Sequence, residues 1–234
     1  MSKDIRFKKG ANLNLIGKAE KSINNKSKSD LFALQPNDFF SLTPKLLVRE
    51  GDLVSKGSAV FHDKNNISIN FVSPVSGVVD KIIRGPKRRI ESVIIKKEGE
   101  RVLNHILPKK LNRDIIVKFL TKSGCWPFIK QRPYNVIANP NDTPKSILIS
   151  CFTSAPLDVD FDFFLAKNKD DFQSGINILN QLIEGEVILT IDHNPNSFFK
   201  KINNVEIIKV NGPHPSSNPS FQIQKIDFNQ NYYM

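Results

Sequence analysis

Val48–Phe61, VREGDLVSKGSAVF, and Ser73–Ile82, SPVSGVVDKI, decide how the first part of this chain folds. In EGD, Gly51 can take a positive φ while the Asp52 side chain bonds back to the backbone, and Lys56-Gly57 repeats the device five residues on. Leu53 and Val54 between the turns, and Val60 and Phe61 after them, supply apolar side chains for an interior. In SPVSG, Pro74 removes a ladder donor and Gly77 permits a sharp change of direction before Val78 and Val79 re-enter a sheet. The same texture, short apolar runs broken by glycine, proline and asparagine, extends over residues 1–100 with little helical periodicity. It predicts an all-β unit, a small closed sandwich.

The period changes from Leu111. Leu111, Ile115, Ile116, Phe119 and Leu120 share one helical face, and Gly124 stands where a C-terminal cap is expected. The next stretch, GCWPFIKQRPYNVIANPNDTP, repeats proline often enough to predict a linker without regular structure, packed through Trp126, Phe128 and Tyr134. SILIS (146–150) is then short and apolar enough for a buried strand. Phe172, Ile176, Leu179 and Ile183 recur at steps of four, three and four, with Asp170 and Asp171 at the positive end of that helix and Gly185 beyond the other. VILTI (187–191) and VEIIKV (205–210) read as further strands, with NPNSFFKKI as a short helix between them. Strand, helix, strand, helix, strand is half of an open parallel α/β sheet. The expected division is therefore a β domain at 1–100, a helix and Pro-rich linker at 101–145, and an incomplete Rossmann-like α/β domain at 146–234.

The 234 residues carry a net charge of +11, with 39% hydrophobic and 24% charged residues. This composition is that of an ordinary globular chain, with no apolar run of the roughly 20 residues that cross a bilayer. The start, MSKDIRFKKG, lacks the apolar centre of a secretory signal, which predicts a cytoplasmic protein. Lysine is spread along the chain without interleaved aromatics, so nucleic acid is not the expected partner. The one dense basic cluster is Arg84, Lys87, Arg88 and Arg89 in RGPKRR. It reads as a solvated hairpin tip, with contact to acidic protein or lipid headgroups as the alternative. Cys125 and Cys151 have no CxxC partner and the histidines are scattered, so neither a metal nor an iron–sulfur site is expected.

Other chemistry is also missing its residues. A nucleotide or flavin cradle in the α/β part needs a glycine-rich turn after its first strand, and CFTSAPLDVDFD offers none. Ser150, Ser154 and Ser217 lie near His214 only by inference, and no serine–histidine–acid constellation can be drawn. The β domain has the half-and-half layout of biotinyl and lipoyl carriers, whose modified lysine tips a central hairpin. Here HDKNNISINFV puts the turn at Asn65-Asn66, with Lys64 off the midpoint and without the usual neighbours, so Lys64 is read as an ordinary hairpin lysine.

In order, IRFKKGANLNLIGKAE, VREGDLVSKGSAVFHDKNN, RGPKRRIESVII, SGCWPFIKQRPYNVIANP, ISCFTSAPL and NGPHPSSNP span nearly the whole chain. They resemble the A-subunit family of the bacterial sodium-translocating NADH:quinone oxidoreductases (Na+-NQR). The resemblance implies a barrel-sandwich hybrid of biotinyl/lipoyl type followed by a Rossmann-like α/β domain. It further implies a peripheral subunit on the cytoplasmic face of the bacterial inner membrane, at the quinone-reducing side of a sodium-pumping complex. Such a chain binds no cofactor itself; FMN, riboflavin, FAD and iron–sulfur centres belong to other subunits, and a membrane-embedded subunit is the expected neighbour. The isolated chain is expected to be inactive. Family members continue for about as many residues again, so this chain is expected to be a fragment, an engineered piece or the product of a shortened gene. They also carry an acid where Thr153 stands, ahead of Ala155-Pro156. The rival readings are a lipoyl- or biotinyl-type carrier and a basic nucleic-acid-binding module.

A quinone headgroup is a flat ring with two carbonyl acceptors and an apolar tail, so its site needs an aromatic face and one or two donors. Trp126 and Phe128 offer faces, with Arg132, Tyr134 and the indole N–H as donors; Phe39 and Phe40 form a second candidate. His214 in NGPHP, after a parallel strand, is a third. Two of these have a structural alternative: interdomain packing for the Trp126–Tyr134 segment and a turn-stabilising role for His214.

Overall fold

The computed structural model describes residues 4–17, 20–23, 29–194 and 196–226. The chain forms two compact units, one of residues 24–142 and one of residues 1–23 with 143–234. Its first strand, β1 (Asp4–Arg6), belongs to the second of these.

The β unit holds β2 (Leu31–Leu34), β3 (Pro44–Leu46), β4 (Leu53–Val54), β5 (Ala59–Asp63), β6 (Asn70–Val72), β7 (Gly77–Arg84) and β8 (Ile90–Lys97). They make a four-stranded sheet of order β2-β8-β7-β4 and a three-stranded sheet of order β3-β5-β6, with antiparallel pairing throughout. This is the sandwich expected from the two opening segments. The turn chemistry works as read: the Arg49 N–H donates to the Asp52 carboxylate at 2.8 Å, and the Asp52 N–H to the Arg49 carbonyl at 3.1 Å. Val54, Val60, Phe61, Phe71, Val79, Val93 and Ile95 are buried, each contributing roughly 1.5–3 kcal/mol of apolar burial. Leu53 is the exception among the expected interior residues: strand alternation turns it outward while Val54 faces in.

Helix α1 (Arg113–Lys122) follows, started by the Asn112 side chain accepting from the Ile115 N–H at 2.9 Å. It ends in a Schellman cap, with Gly124 at φ +76 and the Cys125 N–H donating to the Leu120 carbonyl at 3.0 Å. A Cβ at Gly124 would stand 2.7 Å from a methyl of Val72, so both the φ and the packing require glycine.

The Pro-rich stretch corrects the expected linker. Residues Trp126–Phe128 form a 3-10 turn, then β9 (Lys130–Gln131) and β10 (Val136–Ile137) pair as an antiparallel hairpin. Pro127 lies within the 3-10 turn and Pro133 in the hairpin loop, so both prolines sit where no ladder donor is lost.

In the α/β unit, β11 (Ile147–Ser150), α2 (Phe161–Phe164), α3 (Lys169–Leu179), β12 (Val187–Ile191), β13 (Glu206–Asn211) and α4 (Pro219–Ile226) follow in chain order. All strands of its sheet are parallel, in the order β1-β13-β12-β11. Every residue of the central strand β12 is buried, as a strand covered on both faces demands. Ile176, Val187, Leu189, Ile191 and Phe199 form its core, with Phe172, Leu179 and Ile183 of the expected amphipathic segment packed against it. The division of contacts thus departs from the linear one expected at residues 100 and 145. Asp4–Arg6 pairs with Lys209–Asn211, and 101–142 belong with the β unit.

Candidate functional site

In the β unit, the segments 31–42 and 126–134, singled out separately in the sequence, supply side chains to one aromatic patch. Phe71, buried in the sandwich, stacks on Phe61 with centroids 4.7 Å apart and meets Phe39 edge-on at 4.8 Å. Phe128 lies against Phe39 in turn, edge-on at 6.0 Å, yet remains 74% exposed. The Lys130 Nζ sits 4.6 Å from the Phe39 centroid, within cation–π range. Partial burial lowers the Lys130 pKa from its usual value, and burial lowers that of Arg132 likewise. The patch is therefore a half-desolvated cation over a ring that is rigid from behind, with a second ring open to solvent.

The remaining candidates fall differently. Phe40, next to Phe39, is 67% exposed, and Tyr134 is 75% exposed in the loop of the β9–β10 hairpin. Arg132 opens the same loop and is partly buried. Trp126 is only 3% exposed, and its indole N–H donates to the Ala138 carbonyl at 2.7 Å. It is the anchor under the hairpin, and its donor is spent. Of the residues expected to pack the segment, Trp126 does so, while Phe128 and Tyr134 turn outward. Lys130 is not among the residues expected from sequence. No periodic signal marks it, because Phe128 closes the 3-10 turn and Lys130 opens β9; the two come together on Phe39 only in the fold.

His214 belongs to the α/β unit, at the carboxyl ends of the parallel strands. There the structure does bring serines to it: Ser154 Oγ lies 3.3 Å from the His214 Nδ1 and donates to the Ser217 Oγ at 2.8 Å. The Ser217 N–H donates to Ser154 Oγ at 3.0 Å, and the His214 N–H to the Asn12 side chain at 3.1 Å. Beneath them Gln222, fully buried, donates to Ser150 Oγ and to the Ser216 carbonyl, both at 3.1 Å, and accepts from Thr190 Oγ1 at 2.7 Å. This network ties the strand ends to the 212–218 turn. Among the described residues no carboxylate hydrogen-bonds to His214, so the group lacks the orienting acid of a nucleophilic triad. No three His, Cys, Asp or Glu side chains come together as metal ligands among the described residues. Nor is any described helix long and apolar enough to cross a membrane.

Comparison with known families decides the relationship. Residues 5–98 match the NqrA N-terminal barrel-sandwich hybrid domain, and residues 111–232 match the NqrA second alpha/beta domain. The chain belongs to the NqrA family. The A-subunit of the Na(+)-translocating NADH-quinone reductase from Histophilus somni (strain 129Pt) is 33% identical over 228 residues, covering 95% of this chain and 51% of that protein. Its counterpart from Glaesserella parasuis serovar 5 (strain SH0165) is 32% identical over 230 residues, with the same two coverages of 95% and 51%. The counterpart from Yersinia pestis bv. Antiqua (strain Angola) is 30% identical over 219 residues, 91% of this chain and 48% of the relative. The chain thus spans about half the length of the curated NqrA relatives it matches.

Proposed function

We propose that this NqrA chain serves a sodium-translocating NADH:quinone reductase as a peripheral subunit on the cytoplasmic face of the membrane. On this reading it binds no electron carrier and lends its aromatic patch to the quinone. The observation that carries it is the meeting of Phe39, Phe128 and Lys130. Phe128 offers an open face for a flat ring, and the Lys130 ammonium is a donor within the same patch. A positive charge beside a quinone carbonyl also stabilises the negative charge the ring acquires on reduction. Electrons arrive from flavin and iron–sulfur centres on other subunits, and a membrane-embedded subunit completes the site.

Trp126 provides the test, because it is the chain's single tryptophan and lies beneath the hairpin that carries Lys130. A short-chain quinone titrated into the full chain is expected to quench its fluorescence saturably. The Phe128→Ala and Lys130→Met variants are expected to weaken that binding about fivefold each, the loss of one stacking or polar contact. Saturable binding unaltered by either change would remove the patch from the account. A stoichiometric flavin or iron–sulfur absorbance in the purified chain would contradict the cofactor-free reading.

A further inference from the structure

The basic hairpin tip is built against its own turn preferences. Strands β7 and β8 pair up to Ile83–Ser92 and Arg84–Ile90, steps that have no third strand alongside. The connection closes with the Gly85 N–H donating to the Arg89 carbonyl at 2.9 Å and the Arg89 N–H to the Pro86 carbonyl at 3.2 Å. Lys87 (φ 54, ψ 28) and Arg88 (φ 60) occupy the two central positions, both left-handed. That is the type I′ geometry for which Asn-Gly is the favoured pair. The sequence places two cations there instead, where neither residue type is at ease. A strained conformation kept for its side chains points to a use for those side chains.

The charges at the tip are not consumed by the protein. Among the described residues the Lys87 and Arg88 side chains have no hydrogen-bond or ion-pair partner. The Arg84 guanidinium donates to the Arg88 carbonyl at 3.2 Å, and the Arg89 guanidinium donates to the Asn37 side chain. Both thereby stiffen the tip without being neutralised. The nearby carboxylates of Glu50 and Asp52 are turned to backbone, accepting from the Ile82 N–H at 2.7 Å and the Arg49 N–H at 2.8 Å, and that of Glu91 lies against Gly85 without forming an ion pair among the described residues, so the tip keeps an excess of positive charge. Ile83, 42% exposed, and the exposed Pro86 add apolar surface between the cations.

We propose that this tip, Ile83 to Arg89, rests on the anionic headgroups of a lipid bilayer. The chemistry favours lipid over an acidic protein. A stable protein contact needs about 800 Å² of matched surface on each side, which a single projecting turn does not provide. A bilayer surface accepts cations at any azimuth and takes exposed apolar groups into its interface. The proposal rests on the reading, proposed above, that the chain works as a peripheral subunit at the face of a membrane.

The test is co-sedimentation of the full chain with vesicles of phosphatidylcholine alone and with vesicles carrying about 30% phosphatidylglycerol, enough to give a strong negative surface potential. The paired variant Lys87→Asn/Arg88→Gly removes two charges while giving the turn its preferred residues, so its melting temperature is expected to equal or exceed the parent's. Its partitioning onto anionic vesicles is expected to fall roughly 30-fold, and the parent is expected to leave neutral vesicles largely in solution. Equal binding by parent and variant overturns the proposal, as does equal binding to both vesicle types. So does a parent chain that binds soluble polyglutamate but neither vesicle. Quinone quenching of Trp126 in the same variant is expected to match the parent's, so the lipid proposal and the quinone reading fail separately.

Discussion

The carboxyl ends of the parallel strands and the aromatic patch of the β unit teach opposite lessons about where a site lies. In open α/β sheets the first is where ligands bind, and topology alone directs attention to it. Here that place is occupied by the protein's own groups. Ser150, Ser154, Ser217, Gln222 and Thr190 satisfy one another, and His214 is held through its backbone and Nδ1. The patch in the β unit has no topological rule behind it, yet it leaves an aromatic ring open and a cation half-desolvated. Topology locates crevices, whereas unsatisfied side chains locate chemistry.

The contrast can be broken at its strongest point first. Trp126 holds the patch from beneath, so Trp126→Ala is expected to cost about 3–5 kcal/mol in denaturant unfolding, whereas Phe128→Ala on the open face is expected to stay within about 0.5 kcal/mol. Comparable losses at both positions would erase the distinction between anchor and open face.

Thiol chemistry sharpens the same contrast. Cys151, packed against the α/β core, has its thiol pushed up to about 12, chiefly by burial and further by the charge of Asp162. At pH 8 only about one molecule in 10⁴ carries its thiolate, so iodoacetamide is expected to modify the exposed Cys125 and spare Cys151 in the native chain. Because the folded state favours the protonated thiol, the stability it confers is present below pH 9 and lost as pH rises from 9 toward about 12. Rapid native-state alkylation of Cys151, read by peptide mass, would show that this end of the sheet is open.

A smaller effect is expected at Gln222. Gln222→Leu removes the Ser216 carbonyl's side-chain donor and leaves the Thr190 hydroxyl only the long contact to the Ile149 carbonyl at 3.5 Å, and is expected to cost about 2–3 kcal/mol. Quinone quenching should be untouched by it. The smallest effect, about fivefold in quinone affinity, is that of Phe128→Ala, and it tests function with little cost in stability.

Much of this architecture is legible in the sequence. The strands Ile147–Ser150 and Val187–Ile191 announce themselves as short apolar runs and the helices at 113–122 and 169–179 by period, the first also by Gly124, whereas the second stops at Leu179 and leaves Ile183, expected on its face before Gly185, in extended backbone. What stays hidden is non-local or too short to have a period. Asp4–Arg6 joins a strand some two hundred residues away, and nothing in DIR names its partner. The β9–β10 hairpin has two residues per strand, below any alternation, and its prolines look like breakers when they are loop and 3-10 residues. The candidate site is half legible: Phe39 and Phe128 can be named as rings, but that they meet depends on Phe71 and on a fold that no local pattern reveals. Trp126 is no donor for a ligand, contrary to the sequence-based expectation, because burial and the Ala138 carbonyl are invisible in sequence.

The most direct test of the central claim is a two-dimensional amide NMR titration of the full chain with a short-chain quinone, since both regions report in one spectrum. Saturable shifts are predicted at residues 36–41 and 126–138, with 150–156 and 212–218 unmoved. Shifts confined to the strand-end network around His214 would contradict it.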